Sequence, residues 1–291
     1  MNMQDNGLSK LSQIIYDYCG LGYHDRLSIL RDKISKRVNE LKLSYEGYCE
    51  YLTRTPTEWD MLIELLTINE TYFYREEDQL NECCSFVLPL MKGINRDRPL
   101  RIWSAACSSG EEPYTLAMLI QETGFFLPGT VEIIATDINK KVLQKAEKGW
   151  YHNNSFAFRR IPEVLLKKYF IEENGGYQIK PSTKKMVKFQ HLNLLHDDNV
   201  AEIGEVDIIF CRNVLIYFDQ DKTKQVIRSL HRNLAPAGYL FLGHAETITD
   251  PKLGFEKVRS DKSFYYRKES DQDETIRYIS GRRLSVYAES H

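Results

Sequence analysis

Four stretches of this sequence carry residues of the types that hold a small ligand or do chemistry on it. SAACSSGEEPY, residues 104–114, joins small residues, which let a ligand approach the backbone, to the carboxylates Glu111 and Glu112. The two carboxylates fall in what reads as the first turn of a helix, where free N–H groups and the positive end of the helix dipole also lie. Asp137 closes the stretch VEIIATD, 131–137; Asn193 stands in HLNLL, 191–195; and Arg212, Asn213 and Tyr217 lie in DIIFCRNVLIYF, 207–218. An acidic residue at the end of a second strand is suited to accept hydrogen bonds from both hydroxyls of a ribose. Asn193 could bond an adenine edge. The loop has neither G-x-G-x-x-G nor G-K-[ST], the glycines or lysine that a pyrophosphate or triphosphate requires. The ligand expected is therefore an adenosine without phosphates. S-adenosylmethionine fits, with a carboxylate such as Glu112 holding its ammonium. Whether Glu111 or Glu112 makes that contact stays open, since both also complement the helix dipole.

These residues need a frame, and the pattern from residue 99 onward supplies one. LRIWSAAC (100–107), VEIIATD (131–137), VDIIFC (206–211) and YLFLG (239–243) read as buried strands. Between them, 111–122, 139–149 and 221–234 read as helices; Pro113 is tolerated because it lies in a first turn. Strands alternating with helices predict a parallel sheet covered on both faces. Residues 174–192 read as a small antiparallel hairpin turning at Asn174-Gly175-Gly176 and at Pro181-Ser182, and 255–268 as a hairpin at the sheet edge. The first ninety or so residues read as helical. Within 26–41, Leu27, Leu30, Ile34, Val38 and Leu41 form one apolar stripe. Arg26, Arg31, Lys33, Lys36 and Arg37 crowd the other faces, against Asp25, Asp32 and Glu40. Further helical patterns cover 8–18, 45–52 and 57–66.

The division expected is a helical N-terminal domain (1–80), a linker helix (81–98), an α/β domain (99–268) with a β-subdomain at about 172–192, and a charged tail (269–291). The formal net charge of −2 argues against nucleic-acid binding by bulk charge. The polar start lacks a signal peptide's apolar core, and no run of 18 apolar residues occurs, so a cytoplasmic protein without membrane insertion is expected. The six cysteines form no C-x-x-C pair and the histidines no metal-ligand spacing; free thiols and no metal are expected.

Taken together and in order, TINETYFYRE (67–76), RIWSAACSSGEEPYTLAML (101–119), ATDI (135–138), NLL (193–195), CRNVLIYF (211–218) and AGYLFLGHAE (237–246) resemble the CheR family, the chemotaxis receptor methyltransferases. The resemblance runs from about Leu8 to Arg267. It implies a helical N-terminal domain and a Rossmann-like, S-adenosylmethionine-dependent methyltransferase domain with an inserted small antiparallel β-subdomain. It implies cofactor contacts from Asn69, Thr71, Arg75, Glu112, Asp137, Asn193, Leu194, Arg212 and Asn213, with Arg75 and Tyr217 nearest the transferred methyl. The reaction implied is methylation of glutamate carboxylates on methyl-accepting chemoreceptors, leaving S-adenosylhomocysteine. The helical cytoplasmic bundle of such a receptor is the expected partner, docked through the basic 26–41 helix by a monomeric enzyme. A glutamate is ionised at neutral pH, so no general base is required. Rival readings are a methyltransferase for a small acid, a non-enzymatic sensor of S-adenosylmethionine, and a nicotinamide oxidoreductase, the last disfavoured by the missing glycine fingerprint.

Overall fold

The computed structural model describes residues 3–94, 98–260 and 262–269. The expected tail beyond Glu269, and residues 95–97 of the expected linker, lie outside the described residues.

The chain opens with four helices, α1 (Met3–Cys19), α2 (Leu27–Glu40), α3 (Tyr45–Arg54) and α4 (Glu58–Leu66). Leu8, Leu11 and Ile15 of α1 and Leu30, Ile34 and Val38 of α2 are buried in a cluster of their own. Their spacings of three and four keep them on one helix face. Ser44 caps α3, its hydroxyl accepting from Gly47 N–H at 3.1 Å. The basic face expected on α2 is narrower than its composition indicates. Arg37 turns inward and donates to both oxygens of buried Glu58, at 2.8 and 2.7 Å. Lys33 reaches the last carbonyls of α4, at Leu65 and Leu66. Both are long side chains beside the buried stripe, so their stems pack while their charges find partners within the layer. Arg26, Arg31 and Lys36 remain exposed.

A strap without regular structure, 67–76, leads into α5 (Glu77–Glu82), a π-turn (Cys83–Val87) and α6 (Leu88–Gly93), which run end to end. The π-turn precedes Pro89, whose ring would strike the Ser85 carbonyl in a regular α-helix; widening the turn relieves that clash. The helix thus starts earlier than the expected 81 and ends at Gly93.

The strands are β1 (Leu100–Ala105), β2 (Val131–Asp137), β3 (Trp150–His152), β4 (Phe170–Glu173), β5 (Gly176–Ile179), β6 (Val187–His191), β7 (Val206–Cys211), β8 (Leu234–Leu242), β9 (Phe255–Arg259) and β10 (Phe264–Lys268). The helices between them are α7 (Glu111–Thr123), α8 (Lys140–Lys148), α9 (Glu163–Tyr169), α10 (Pro181–Lys184), α11 (Asp197–Ala201) and α12 (Gln220–Asn233). The main sheet has the order β6-β2-β1-β7-β8-β10-β9. Its first five strands are parallel, and the β9–β10 hairpin closes one edge antiparallel. Neighbouring residues of one strand enter opposite cores: Ile102, Ile133 and Ile208 one, Trp103, Ile134 and Ile209 the other. That is why these strands read as unbroken apolar runs rather than alternations.

The expected hairpin over 174–192 is corrected. Only its first part joins the small sheet, of order β3-β5-β4. The β4–β5 turn is Asn174-Gly175, with φ of +52° and +71°, the pair of positive angles that a two-residue hairpin turn favours. Gly176 is obligatory, because a Cβ there would lie 2.4 Å from the Tyr151 carbonyl. Pro181–Lys184 is a short helix, and β6 leaves to pair parallel with β2 in the main sheet. A parallel partner needs a crossover connection, and the small sheet is an insertion inside the crossover from β2 to β6.

Candidate functional site

From β1 the sheet grows one way through β2 and β6 and the other way through β7 and β8. At such a reversal the connections leaving the strand ends diverge and open a crevice. A cavity of about 390 Å³ lies there, lined by the loops after β1, β2 and β7, by the 67–76 strap, and by α1, α2 and α4 with the segments that follow α1 and α4.

The loop after β1 winds through positive φ at Ala106 (+60°), Ser108 (+50°) and Gly110 (+92°). Gly110 packs so closely on α8 that a Cβ would lie 2.8 Å from that of Ala146. Asp137, buried at the end of β2, holds this loop by accepting from Ser108 N–H at 2.8 Å, and holds its own by accepting from Asn139 N–H at 2.8 Å. Asn139 caps α8, which starts its helix beside the cavity.

Successive residues of α7 diverge by about 100° around its axis, and this separates the two glutamates. Glu111 turns from the cavity to its own Ser109 hydroxyl, 2.8 and 3.0 Å from its two oxygens. Glu112 lines the cavity, accepts from Ser104 Oγ at 2.7 Å, and lies 3.6 Å from Arg212 Nη1. Burial raises the Glu112 carboxyl above its usual range, opposed by the Arg212 charge. Burial likewise raises Asp137, opposed by the N–H groups of Asn139, Ser108 and Ile138. Both gain from a ligand that brings them positive charge or hydrogen-bond donors.

Asn69 donates to Thr67 Oγ1 at 3.1 Å, and its carbonyl accepts from Ser108 Oγ at 3.1 Å; Asn139 donates to the same threonine at 2.9 Å. These bonds fasten the strap to the loops after β1 and β2, with Thr71 on the cavity wall. Arg75 donates to the Glu70 carbonyl at 2.7 Å and lies over the Tyr72 ring, 5.7 Å from its centre. Arg212 is almost fully buried. It donates to the Arg75 carbonyl and approaches Glu76 at 3.3 Å. Asn213, at φ +58°, donates from its amide to Glu76 Oε1 at 3.1 Å.

All ten sequence-derived site residues line this one cavity. Most of them also bond the protein itself, and for Asn193 and Arg212 those bonds change the expected role. The amide of Asn193 donates to the Tyr18 carbonyl at 2.6 Å and its oxygen accepts from Leu195 N–H at 3.0 Å, so the side chain expected at an adenine edge joins α1 to the loop. Arg212 shares its single charge between Glu112, at 3.6 Å, and Glu76, at 3.3 Å. Leu194, Val214, Ile216 and Phe218 supply the apolar wall, and Tyr217 ends a single turn of 3-10 helix at the rim. His244, which follows β8, is exposed and does not line the cavity.

Sequence reasoning missed Glu76 and Glu246. Both lie inside quoted motifs, Glu76 directly after Arg75, but nothing local marks a carboxylate that turns inward. Cys107 is buried and its thiol is pushed well above its usual range by burial, which makes it inert as a nucleophile.

A family model described as CheR methyltransferase, SAM binding domain, matches residues 69–264. The chain is 36% identical over 273 residues to chemotaxis protein methyltransferase 2 of Vibrio cholerae serotype O1, covering 91% of this chain and 93% of the relative. It is 34% identical to chemotaxis protein methyltransferase 1 of Pseudomonas aeruginosa, over 80% of this chain and 88% of the relative. It is also 34% identical to the chemotaxis protein methyltransferase of Borreliella burgdorferi, over 87% and 92%.

Proposed function

The chain belongs to the CheR methyltransferase family, and from that premise we propose that it esterifies glutamate side chains on the cytoplasmic helical bundle of a methyl-accepting chemoreceptor. It is an S-adenosylmethionine-dependent methyltransferase of bacterial-type chemotaxis. The single observation that carries the finer reading is the cavity's division of labour. The desolvated carboxylates Glu112 and Asp137 line it together with the half-buried Tyr217 and Arg75, whose guanidinium lies over the Tyr72 ring.

The donor set fits the cofactor. Glu112, short of positive charge, suits the α-ammonium, and Asp137 suits the ribose hydroxyls, while Asn69, Thr71, Asn193, Leu194, Arg212 and Asn213 would line the remainder. When bound, S-adenosylmethionine supplies a methyl already activated by its sulfonium. The chain's own work is then positional. Arg75 spends one N–H on the Glu70 carbonyl and has four others with which to grip an acceptor carboxylate. Tyr217 donates one hydrogen bond toward that carboxylate. Leu194, Val214, Ile216 and Phe218 exclude water. Alignment and dehydration of this kind supply roughly 7–11 kcal/mol of barrier lowering, enough for a reaction between an ionised nucleophile and an activated donor.

Residues through about 80 would form the docking unit and 99–268 the catalytic unit; the first four helices have an apolar cluster of their own, while Phe73, Tyr74 and Leu80 pack into the α/β core. Arg26, just ahead of α2, and Arg31 and Lys36 on it would meet the acidic receptor bundle. Among the described residues no helix is long and apolar enough to cross a membrane, and the enzyme would work as a monomer from the cytoplasmic side. The test is transfer of labelled methyl to a purified receptor cytoplasmic fragment. Label released as methanol by mild base is expected; a base-stable label, or none on the receptor, rules the glutamate ester out.

A further inference from the structure

The loop that leaves β7 carries Arg212, Asn213 and Tyr217, yet only Leu215–Tyr217 within it are helical. Four successive backbone N–H groups of it, Asn213 to Ile216, share one destination. Oε1 of Glu246 accepts from Val214 N–H at 2.8 Å, Leu215 N–H at 2.7 Å and Ile216 N–H at 3.3 Å. Oε2 accepts from Asn213 N–H at 2.8 Å and Gly243 N–H at 2.7 Å. The carboxylate is 4% exposed. Asn213 at φ +58° followed by the helical turn makes successive N–H groups converge, the concave arrangement that elsewhere binds anionic ligands. Here the anion comes from the chain itself. Gly243 makes room for it, because a Cβ there would lie 2.8 Å from Glu246 Oε2 and 2.9 Å from Asn213 N.

We propose that Glu246 is a positioning residue for methyl transfer: as the resident anion of this five-amide nest, it sets where Asn213 and Tyr217 stand in the cavity. Several N–H groups pointing one way, without an anion between them, favour another loop conformation, since a buried donor left unsatisfied gives up its hydrogen bond to water for nothing. Glu76 grips the same loop through side chains, bonding the Asn213 amide and pairing with Arg212. The loop is therefore held from two sides, and the backbone grip belongs to Glu246.

The inference rests on the assignment of Tyr217 to the reacting end of the cavity, so the experiment separates the two. Glu246→Gln keeps the shape but turns an NH2 toward N–H donors. With labelled cofactor and receptor fragment, Glu246→Gln is expected to lower kcat by about a hundredfold, the scale of an ångström-sized misplacement. Tyr217→Phe is expected to lower kcat in the native background but to change it less than about twofold in the Glu246→Gln background, because coupled residues are not additive. Losses that multiply overturn the proposal. If Tyr217→Phe alone leaves kcat intact, the assignment of Tyr217 fails instead. Amide hydrogen exchange on the unaltered protein then decides the nest: slow exchange at Val214 and Leu215 supports it, and exchange at the rate of open loops overturns it. The same measurement serves if Glu246→Gln does not fold.

Discussion

Glu58 in the helical layer and Glu112 in the cavity are both largely buried carboxylates in the first turn of a helix, yet their acidities move in opposite directions. Glu58 accepts two bonds from Arg37 and one from the Tyr48 hydroxyl at 2.8 Å, and the Arg37 bonds hold it below its usual range. Glu112 lies 3.6 Å from a guanidinium that also serves Glu76, and burial raises it. The helix dipole favours both, so the difference lies in the balance: at Glu112 burial outweighs the Arg212 charge, and at Glu58 the Arg37 bonds outweigh burial. A carboxylate whose charge is met within the fold holds the fold together. One left short of positive charge is a vacancy for a cationic ligand, kept at some expense of stability.

The contrast can be broken first at Arg75, which belongs to the cavity and not to the helical layer. Arg75→Ala is expected to lower turnover by about a thousandfold while changing unfolding free energy by less than about 1 kcal/mol; normal kcat in the receptor assay would remove it from the mechanism. Arg37→Ala is expected to do the reverse. Leaving Glu58 uncompensated costs about 3 kcal/mol in chemical denaturation, with turnover per folded molecule unchanged.

Glu112→Gln sharpens the comparison. It should weaken S-adenosylhomocysteine binding in calorimetry by about tenfold or more, roughly 1.4 kcal/mol, without destabilising the ligand-free protein. The pH dependences follow the two shifts. Glu112 is raised in the fold, so its contribution to ligand-free stability is present at low pH and is lost as pH rises through its raised pKa. Binding of a cationic ligand needs the ionised form and so weakens as pH falls through the same range, a dependence that Glu112→Gln should flatten. Glu58 is lowered, so its contribution is present above the unfolded pKa and is lost only as pH falls through its depressed value. The smallest effect expected is at the docking face: Lys36→Glu should raise KM for the receptor fragment by about threefold at low salt, fading as salt screens it. An unchanged KM would take Lys36 out of the docking surface.

Local pattern was enough to read the parallel sheet, the helical layer and the loops after β1, β2 and β7 that line the cavity; Asn69, Thr71 and Arg75 came only from the family resemblance. The apolar runs at 100–107, 131–137 and 206–211, the small residues before Glu111, and Asp137 at a strand end each act over a few residues, and a periodic burial pattern declares itself at that range. Which partner a side chain meets was settled elsewhere. The split of 174–192 between two sheets depends on a crossover that local alternation does not encode. Arg37 turned inward because Glu58 waits on another helix. Glu111 and Glu112 were separated by helix rotation against a cavity that exists only once β1 and β7 are neighbours. The Asn193 amide found the Tyr18 carbonyl, and Glu246 found the amides of a loop some thirty residues earlier in the chain. Burial is a property of one face of one element, so the sequence alone determines it. Hydrogen-bond and charge partners belong to pairs of elements, and only the packing of the tertiary structure brings those pairs together.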